Sequence, residues 1–316
     1  MIAIASAPAT VSNLGPGYDI LGCCLSDPRD FVQVELTTTG KVELVDIVGD
    51  GGKLPRKASE NCASHVAAEV LKRFGDPSMG LKIRLFKGLP LGSGLGSSAA
   101  SGVASALATA SLIDSSITKE QLLDACREGE RLATGSPHPD NVAPSLLGGF
   151  VACVPRGEER IEVVRLSVPS DLVFICVKPH FSVSTQMARE LVPAEVSMSD
   201  CIENMGNLAG LVSALATSNM SLLSRSLGDR LATPYRAPLI DGYDEVTQAA
   251  REAGAIGAGI SGSGPTLFAM TASLEAGQRV RDAMVSAFAD RGHESLAIVS
   301  AVDLMGARLE ESLPKA

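Results

Sequence analysis

Residues 80–87 alternate apolar and polar side chains, Leu81, Ile83 and Leu85 against Lys82, Arg84 and Lys87, the period of a half-buried strand. From 99 to 112 the chain is almost entirely Ala, Ser, Val and Leu, with one Gly and no Pro. That run predicts a helix apolar on most sides, and therefore buried. The same two periods place strands at 2–7, 31–38, 41–48, 150–155, 161–166, 172–177, 266–270 and 296–302. They place helices from 59 or 61 to 74, then at 118–133, 185–191, 200–217, 221–227, 244–253 and 274–291. Thr118 and Gln121 form a capping box for the second of these. Met205 is read as a core residue of helix 200–217. Three stretches read as irregular: 8–22 around Gly15-Pro16-Gly17, the polar run 49–57, and the Pro/Gly-dense run 135–149. A charged turn is expected at 156–160, and residues 233–236 are expected in a loop. No internal repeat or low-complexity segment stands out.

Composition narrows the picture. A chain of 316 residues suggests two domains, and the division is expected near 167, giving 1–167 and 168–316. With 45% apolar residues, 3% aromatics and no Trp, the core must be filled by Ala, Val, Leu and Ile. The net charge of −9 argues against nucleic acid or an anionic membrane as the main partner. No apolar run reaches the ~20 residues of a membrane span. Met1-Ile2-Ala3-Ile4 lacks the basic start of a signal peptide and reads as strand. Seven cysteines with no Cys-x-x-Cys fit neither a disulfide framework nor a zinc site. They read as small buried hydrophobes in a reducing, cytoplasmic setting. Oligomeric state is not legible, and a homodimer stays open. An acidic protein with an anionic substrate must gather positive charge locally, which turns attention to its arginines.

Between strand 80–87 and helix 99–112 lies Leu89-Pro90-Leu91-Gly92-Ser93-Gly94-Leu95-Gly96-Ser97-Ser98-Ala99-Ala100. Three glycines in five residues let the backbone turn sharply and approach a ligand. The loop offers free N–H groups, and the helix start adds partial positive charge, so the segment reads as a phosphate site. Ser97 and Ser98 are expected to cap the helix, or one hydroxyl to turn to a metal ion on the phosphates. No Gly-Lys-Ser/Thr follows, so this is not a Walker loop. Pro-x-x-x-Gly-Leu-Gly-Ser-Ser-Ala resembles the phosphate-loop signature of the GHMP small-molecule kinases.

Further candidates flank it. Asn13 and Asp19 bracket the Gly15-Pro16-Gly17 turn, either as turn residues bonding their own backbone or as groups pointing into a site. Asn61 is either a helix cap or a site residue. Glu130 shares the buried face of its helix with Leu123 and Cys126. A buried carboxylate needs a cation, either Mg²⁺ held with Ser98 or a neighbour such as Arg127 or Arg131. His138, Asp140 and Asn141 fall within four residues. Arg189 and Arg236 read singly as surface charges. Gly257-Ala258-Gly259-Ile260-Ser261-Gly262 satisfies the dinucleotide pattern, but Pro265 prevents the helix that pattern needs.

Four segments narrow the resemblance to the homoserine-kinase branch of the GHMP family. They are Asn-Leu-Gly-Pro-Gly-Tyr-Asp at 13–19 (Tyr18 standing where Phe is usual), His-x-Asp-Asn-Val-Ala-Pro at 138–144, and the pair Ser-Thr-x-x-Ala-Arg with Pro-Tyr-Arg. The resemblance implies an α+β fold in two domains, the first ribosomal-S5-like and the second ferredoxin-like, with the active site between them. It implies transfer of a phosphoryl group from ATP to L-homoserine in threonine biosynthesis. The 90–100 loop would then hold the phosphates, Asn61 the adenine, and Ser98 with Glu130 the Mg²⁺. Asn13, Asp19, His138, Arg189 and Arg236 would hold the amino acid, and Asn141 would face its hydroxyl. Asp140 leaves open which of the two neighbours does so. Another GHMP activity on mevalonate or shikimate, or a non-catalytic ATP-binding sensor, are the competing readings.

Overall fold

A computed structural model describes residues 1–157 and 160–314, so Glu158 and Glu159 of the expected charged turn lie outside the described residues. Two antiparallel-rich sheets carry the fold. The first contains β1 (Ile2–Ser12), β2 (Leu21–Thr37), β3 (Val42–Val48), β4 (Gly80–Phe86), β5 (Phe150–Pro155), β6 (Ile161–Leu166) and β11 (Arg308–Glu310). The order is β11-β1-β2-β4-β3, with β5 pairing both β2 and β6. The second sheet runs β10-β7-β9-β8, built from β7 (Val173–Pro179), β8 (Gly257–Ile260), β9 (Leu267–Thr271) and β10 (Ser295–Ala301).

Helices α1 (Cys62–Phe74), α2 (Ser97–Ile113), α3 (Lys119–Thr134) and α4 (Pro139–Leu147) serve the first sheet. Helix α2 lies at the centre, with 11 of its 17 residues buried, which is why its sequence shows almost no polar face. Helices α5 (Thr185–Glu190), α6 (Met198–Thr217), α7 (Met220–Arg225) and α8 (Thr233–Arg236) follow β7, and α9 (Tyr243–Glu252) with α10 (Leu274–Asp290) pack on the second sheet. Phe150, Phe174 and Phe268 pack with tilted rings, 6.0 and 6.1 Å between ring centres, and join the two sheets through one core.

Several expectations give way. Strand β1 continues past residue 7 to Ser12, with an irregularity between Pro8 and Thr10 that accommodates the proline. Strand β2 begins at Leu21 rather than 31. Its first five residues are buried on both faces between β1 and β5, so they do not alternate. Run 135–149 is not irregular throughout, because α4 occupies most of it. Pro139 sits at the first helical turn, where its missing N–H costs nothing, and only Pro144 breaks a helical bond. Residues 233–236 form the short helix α8 instead of a loop. Met205 is 59% exposed, and so is Ile202. Helix α6 turns by its Asn204 anchor, which donates to Pro16 O at 2.9 Å and sets Leu211, Ala214 and Leu215 inward. Strand β11, unforeseen, brings the end of the chain back beside β1.

Candidate active site

The glycine loop at 89–100, expected to hold phosphates, is fixed by its own contacts. Gly96 takes a left-handed φ of 66°, and a Cβ there would lie 2.1 Å from Thr10 Oγ1. Gly94, at φ 77°, leaves no room for a Cβ against the Ser261 carbonyl at 2.5 Å. Ser261 Oγ in turn donates to Gly94 O at 2.7 Å, so the glycine loop before β9 buttresses the phosphate loop. Gly92, where a Cβ would meet nothing within 4 Å, faces the opening. Neither serine caps α2: the N-cap is Gly96, without a side-chain bond. Ser97 instead accepts from Lys87 Nζ through its carbonyl and hydroxyl, at 3.0 and 2.8 Å.

Beside the loop, with Lys87 and Ser101 at the wall of the cavity described next, stands a buried cluster that sequence reasoning missed. Lys87 pairs with Asp30, and both are almost fully buried. Asp30 also accepts from Gly88 N, Leu89 N and Ser101 Oγ at 2.9, 3.0 and 2.7 Å. The cluster joins both ends of the loop to β2. The strand register was the missing signal, since Phe31 faces Phe86 across β2 and β4 and so puts Asp30 next to Lys87.

In front of the loop a cavity of about 470 Å³ collects most of the candidates. Asn13, Asp19, Asn61, Ser97, Ser98, Glu130, His138, Asp140, Asn141, Arg189 and Arg236 all line it. Leu95, Ala99 and Ala100 do not, being buried in the core, and Pro90 is not among the lining residues. Ser98 Oγ donates to Glu130 Oε1 at 2.5 Å. Glu130 is 5% exposed, and burial raises its pKa while the Ser98 bond works the other way. The arginines of its own helix turn elsewhere, Arg131 to Glu128 at 3.0 Å, Arg127 to Asp124 and the Pro137 carbonyl. Asn61 does cap α1, accepting from Ala63 N at 3.0 Å, while also lining the cavity.

The far end is built from the loop after β1. Asn13, Leu14 and Asp19 all hold positive φ, at 68°, 52° and 55°, a concentration of backbone strain that non-glycine residues rarely accept. Asn13 Nδ2 donates to Gly262 O and its Oδ1 accepts from Asp19 N, both at 3.0 Å. Asp19 is thereby presented to Arg189, whose Nη1 reaches Oδ2 at 3.0 Å, and to His138 Nδ1 at 3.5 Å. Burial opposes the Arg189 charge, but the Asp19 bonds and charge outweigh it and raise its pKa. Arg189 Nε stays buried with no acceptor. Arg236, 3% exposed, is locked by Ala188 O and Gly262 O at 3.0 and 3.1 Å and lies over the Tyr18 ring at 5.0 Å. Burial lowers the pKa of Arg236 and of His138. Asn141 is held between two hydroxyls: Thr10 Oγ1 donates to its Oδ1 at 2.8 Å, and its Nδ2 donates to Ser12 Oγ at 3.1 Å.

The GHMP kinase N-terminal domain family matches residues 61–149, and the GHMP kinase C-terminal family matches 211–290. A homoserine kinase of Arabidopsis thaliana is 42% identical over 98% of this chain and 85% of its own. The chain belongs to the homoserine kinases of the GHMP family. Another member, from Chlorobium phaeobacteroides, is 41% identical over 89% of this chain and 90% of its own. The crystal structure of a homoserine kinase from Cytophaga hutchinsonii superposes with a TM-score of 0.93 at 40% identity, covering 98% of this chain and 97% of that one. The L. major mevalonate kinase, covering 94% of this chain and 95% of its own, reaches a TM-score of 0.70 at 17% identity and shares the fold alone. The two-sheet α+β fold is thus the GHMP kinase fold. Among the described residues no helix is long and apolar enough to cross a membrane.

Proposed function

We propose that the chain phosphorylates L-homoserine with ATP to give O-phospho-L-homoserine. The observation that carries this reading is the cavity's polarity. One end holds opposite charges set for a zwitterion, Asp19 beside Arg189 with Arg236 behind, and the other holds a phosphate loop. Asp19 and Asn13 would take the ammonium, and the two arginines the carboxylate, with the unused Arg189 Nε as a ready donor. A carboxylic acid without an amine, such as mevalonate or shikimate, would leave Asp19 unmatched.

Ser98 and Glu130 suit Mg²⁺, a hard cation that takes one or two protein oxygens and fills its shell with water and phosphate. Among the described residues no three His, Cys, Asp or Glu side chains gather into a metal cage. The ion would neutralise phosphate charge. The remaining work belongs to the chain: backbone N–H groups orient the phosphates, and the far end holds the amino acid in line.

The test is ADP release with Mg²⁺-ATP against L-homoserine, mevalonate, shikimate and L-threonine. Turnover on L-homoserine is expected. Arg189→Ala should raise its KM by about 10- to 100-fold, the value of a charge-assisted bond of ~1.5–3 kcal/mol, with KM for ATP unchanged. Turnover confined to mevalonate or shikimate would discard the substrate assignment.

A further inference from the structure

Asn141 stands where the two ends of the cavity meet. Toward the glycine loop, a Cβ on Gly96 would lie 3.0 Å from Asn141 Oδ1 and 3.4 Å from Asn141 Cβ. Toward the amino-acid end, Asn141 Nδ2 donates to Ser12 Oγ at 3.1 Å. The Ser12 carbonyl accepts from Gly262 N at 3.2 Å, and the Gly262 carbonyl accepts from Asn13 and Arg236. An amide at that junction meets the oxygens that react there, so its orientation matters. We infer that Thr10, buried in β1 and outside the cavity lining, is a positioning residue for phosphoryl transfer. It fixes the Asn141 amide with an N–H toward the reacting oxygens and ties that amide to the glycine loop. This inference rests on the kinase reading above.

Thr10 holds three groups at once. Its Oγ1 donates to Asn141 Oδ1 at 2.8 Å. Its backbone N–H donates to Leu95 O, inside the glycine loop, at 3.1 Å. Its Oγ1 also occupies the space that a Cβ on Gly96 would need, 2.1 Å from that position, so the loop closes directly onto the hydroxyl. Strand, loop and amide are thereby set against one another by one side chain. Nothing in the cavity has to touch it for its loss to be felt there.

The chemistry lies in what the amide has left. Its oxygen faces Thr10 and its nitrogen faces Ser12. An amide nitrogen carries two hydrogens. Among the described residues only Ser12 Oγ takes one, and Asn141 lines the cavity, so the second is left for an oxygen there. Phosphoryl transfer redistributes negative charge among the reacting oxygens, and a donor already aimed at them stabilises the transition state more than the bound substrates. Without the Thr10 hydroxyl the amide oxygen loses its donor. The amide is then free to turn over and present its oxygen, which repels the same charge.

The test is the kinetics of Mg²⁺-ATP and L-homoserine turnover in Thr10→Val, which exchanges the hydroxyl for a methyl group of similar size. The kcat should fall about 10- to 100-fold with both KM values within about threefold, the pattern of misplaced groups rather than lost binding. Thr10→Ser keeps the hydroxyl and should recover most of that loss. In an Asn141→Ala background Thr10→Val should cost less than about threefold more, because the two residues act as a unit. A parent-like kcat in Thr10→Val overturns the inference. So does a full further loss in the Asn141→Ala background, or a Ser variant as slow as Val. Should Thr10→Val not fold, the unaltered protein decides through the side-chain N–H signals of Asn141 in NMR spectra, recognised by their loss in Asn141→Ala. They should shift when L-homoserine is added with Mg²⁺ and the β,γ-imido analogue of ATP, and an unmoved pair overturns the inference. Absence of any L-homoserine turnover in the unaltered protein would instead strike the substrate reading beneath it.

Discussion

Asp30 and Glu130 are both buried carboxylates near the glycine loop, at 0% and 5% exposure, and they are served differently. Asp30 has a lysine, a hydroxyl and two backbone N–H groups. Glu130 has one serine hydroxyl. Asp140 sides with Glu130, since it is buried at the cavity wall and burial raises its pKa to about 7. An ion satisfied on all sides holds structure together, whereas an under-satisfied one is costly unless a ligand completes it. The Lys87–Asp30 cluster is therefore the fold's clasp on the loop, and Glu130 and Asp140 are the carboxylates whose polar needs the chain leaves incomplete.

The comparison breaks hardest at Lys87. Lys87→Met leaves Asp30 buried without its cation, and the expected loss is about 3–5 kcal/mol of stability, read by denaturant unfolding. An unchanged midpoint with a raised KM for ATP would give Lys87, which lines the cavity, a part in nucleotide binding instead. Glu130→Gln should do the reverse. Burial raises the Glu130 pKa, so its ionised form opposes folding increasingly as pH climbs past the ordinary carboxylate range. The Gln variant should melt higher than the parent at pH 8 without ligand and lose that advantage near pH 4. Its kcat should fall ~100-fold, about 2.7 kcal/mol, with a weaker response to Mg²⁺. A parent-like Mg²⁺ response would remove Glu130 from the metal.

The contrast also shows what a sequence makes legible. The glycine loop between β4 and α2 was readable because its glycines sit between a two-residue and a 3.6-residue period, a local pattern. Glu130 was readable because helix spacing alone put it beside Cys126. Asp30 was not, because its meaning depends on Lys87, fifty-seven positions away, and on a strand register that only the folded sheet sets. Helix α4 escaped for the opposite reason. Its prolines speak loudly for a break, yet Pro139 falls where a helix tolerates it, and position within the element outweighed residue type. Met205 shows the same limit: an apolar side chain on a helix faces inward only if nothing stronger, here Asn204, decides the rotation. Most of the candidates, which cluster in motifs, line one cavity. What joins them, Thr10 and Ser12 holding Asn141, was not readable, because lone hydroxyls in a strand carry no pattern.

The smallest effect tests a residue that belongs to both sides. Asn61 is 3% exposed, accepts from Ala63 N as the cap of α1, donates to Pro55 O at 3.2 Å, and still lines the cavity. Asn61→Ala removes the cap and should cost ~1 kcal/mol. In a chain of this size that lowers the melting temperature by only about 2 °C. If the amide also meets the adenine, KM for ATP should rise about fivefold, the equivalent of a further ~1 kcal/mol. Asn61→Ser divides the two roles, because a serine hydroxyl caps a helix as well as an amide does but lacks the amide's reach and its N–H donors. A variant that melts like the parent while KM for ATP stays raised gives Asn61 a part in nucleotide binding. If instead Ser restores both, Asn61 is a helix cap whose place at the cavity wall is incidental, and the adenine has no side-chain amide there to recognise it.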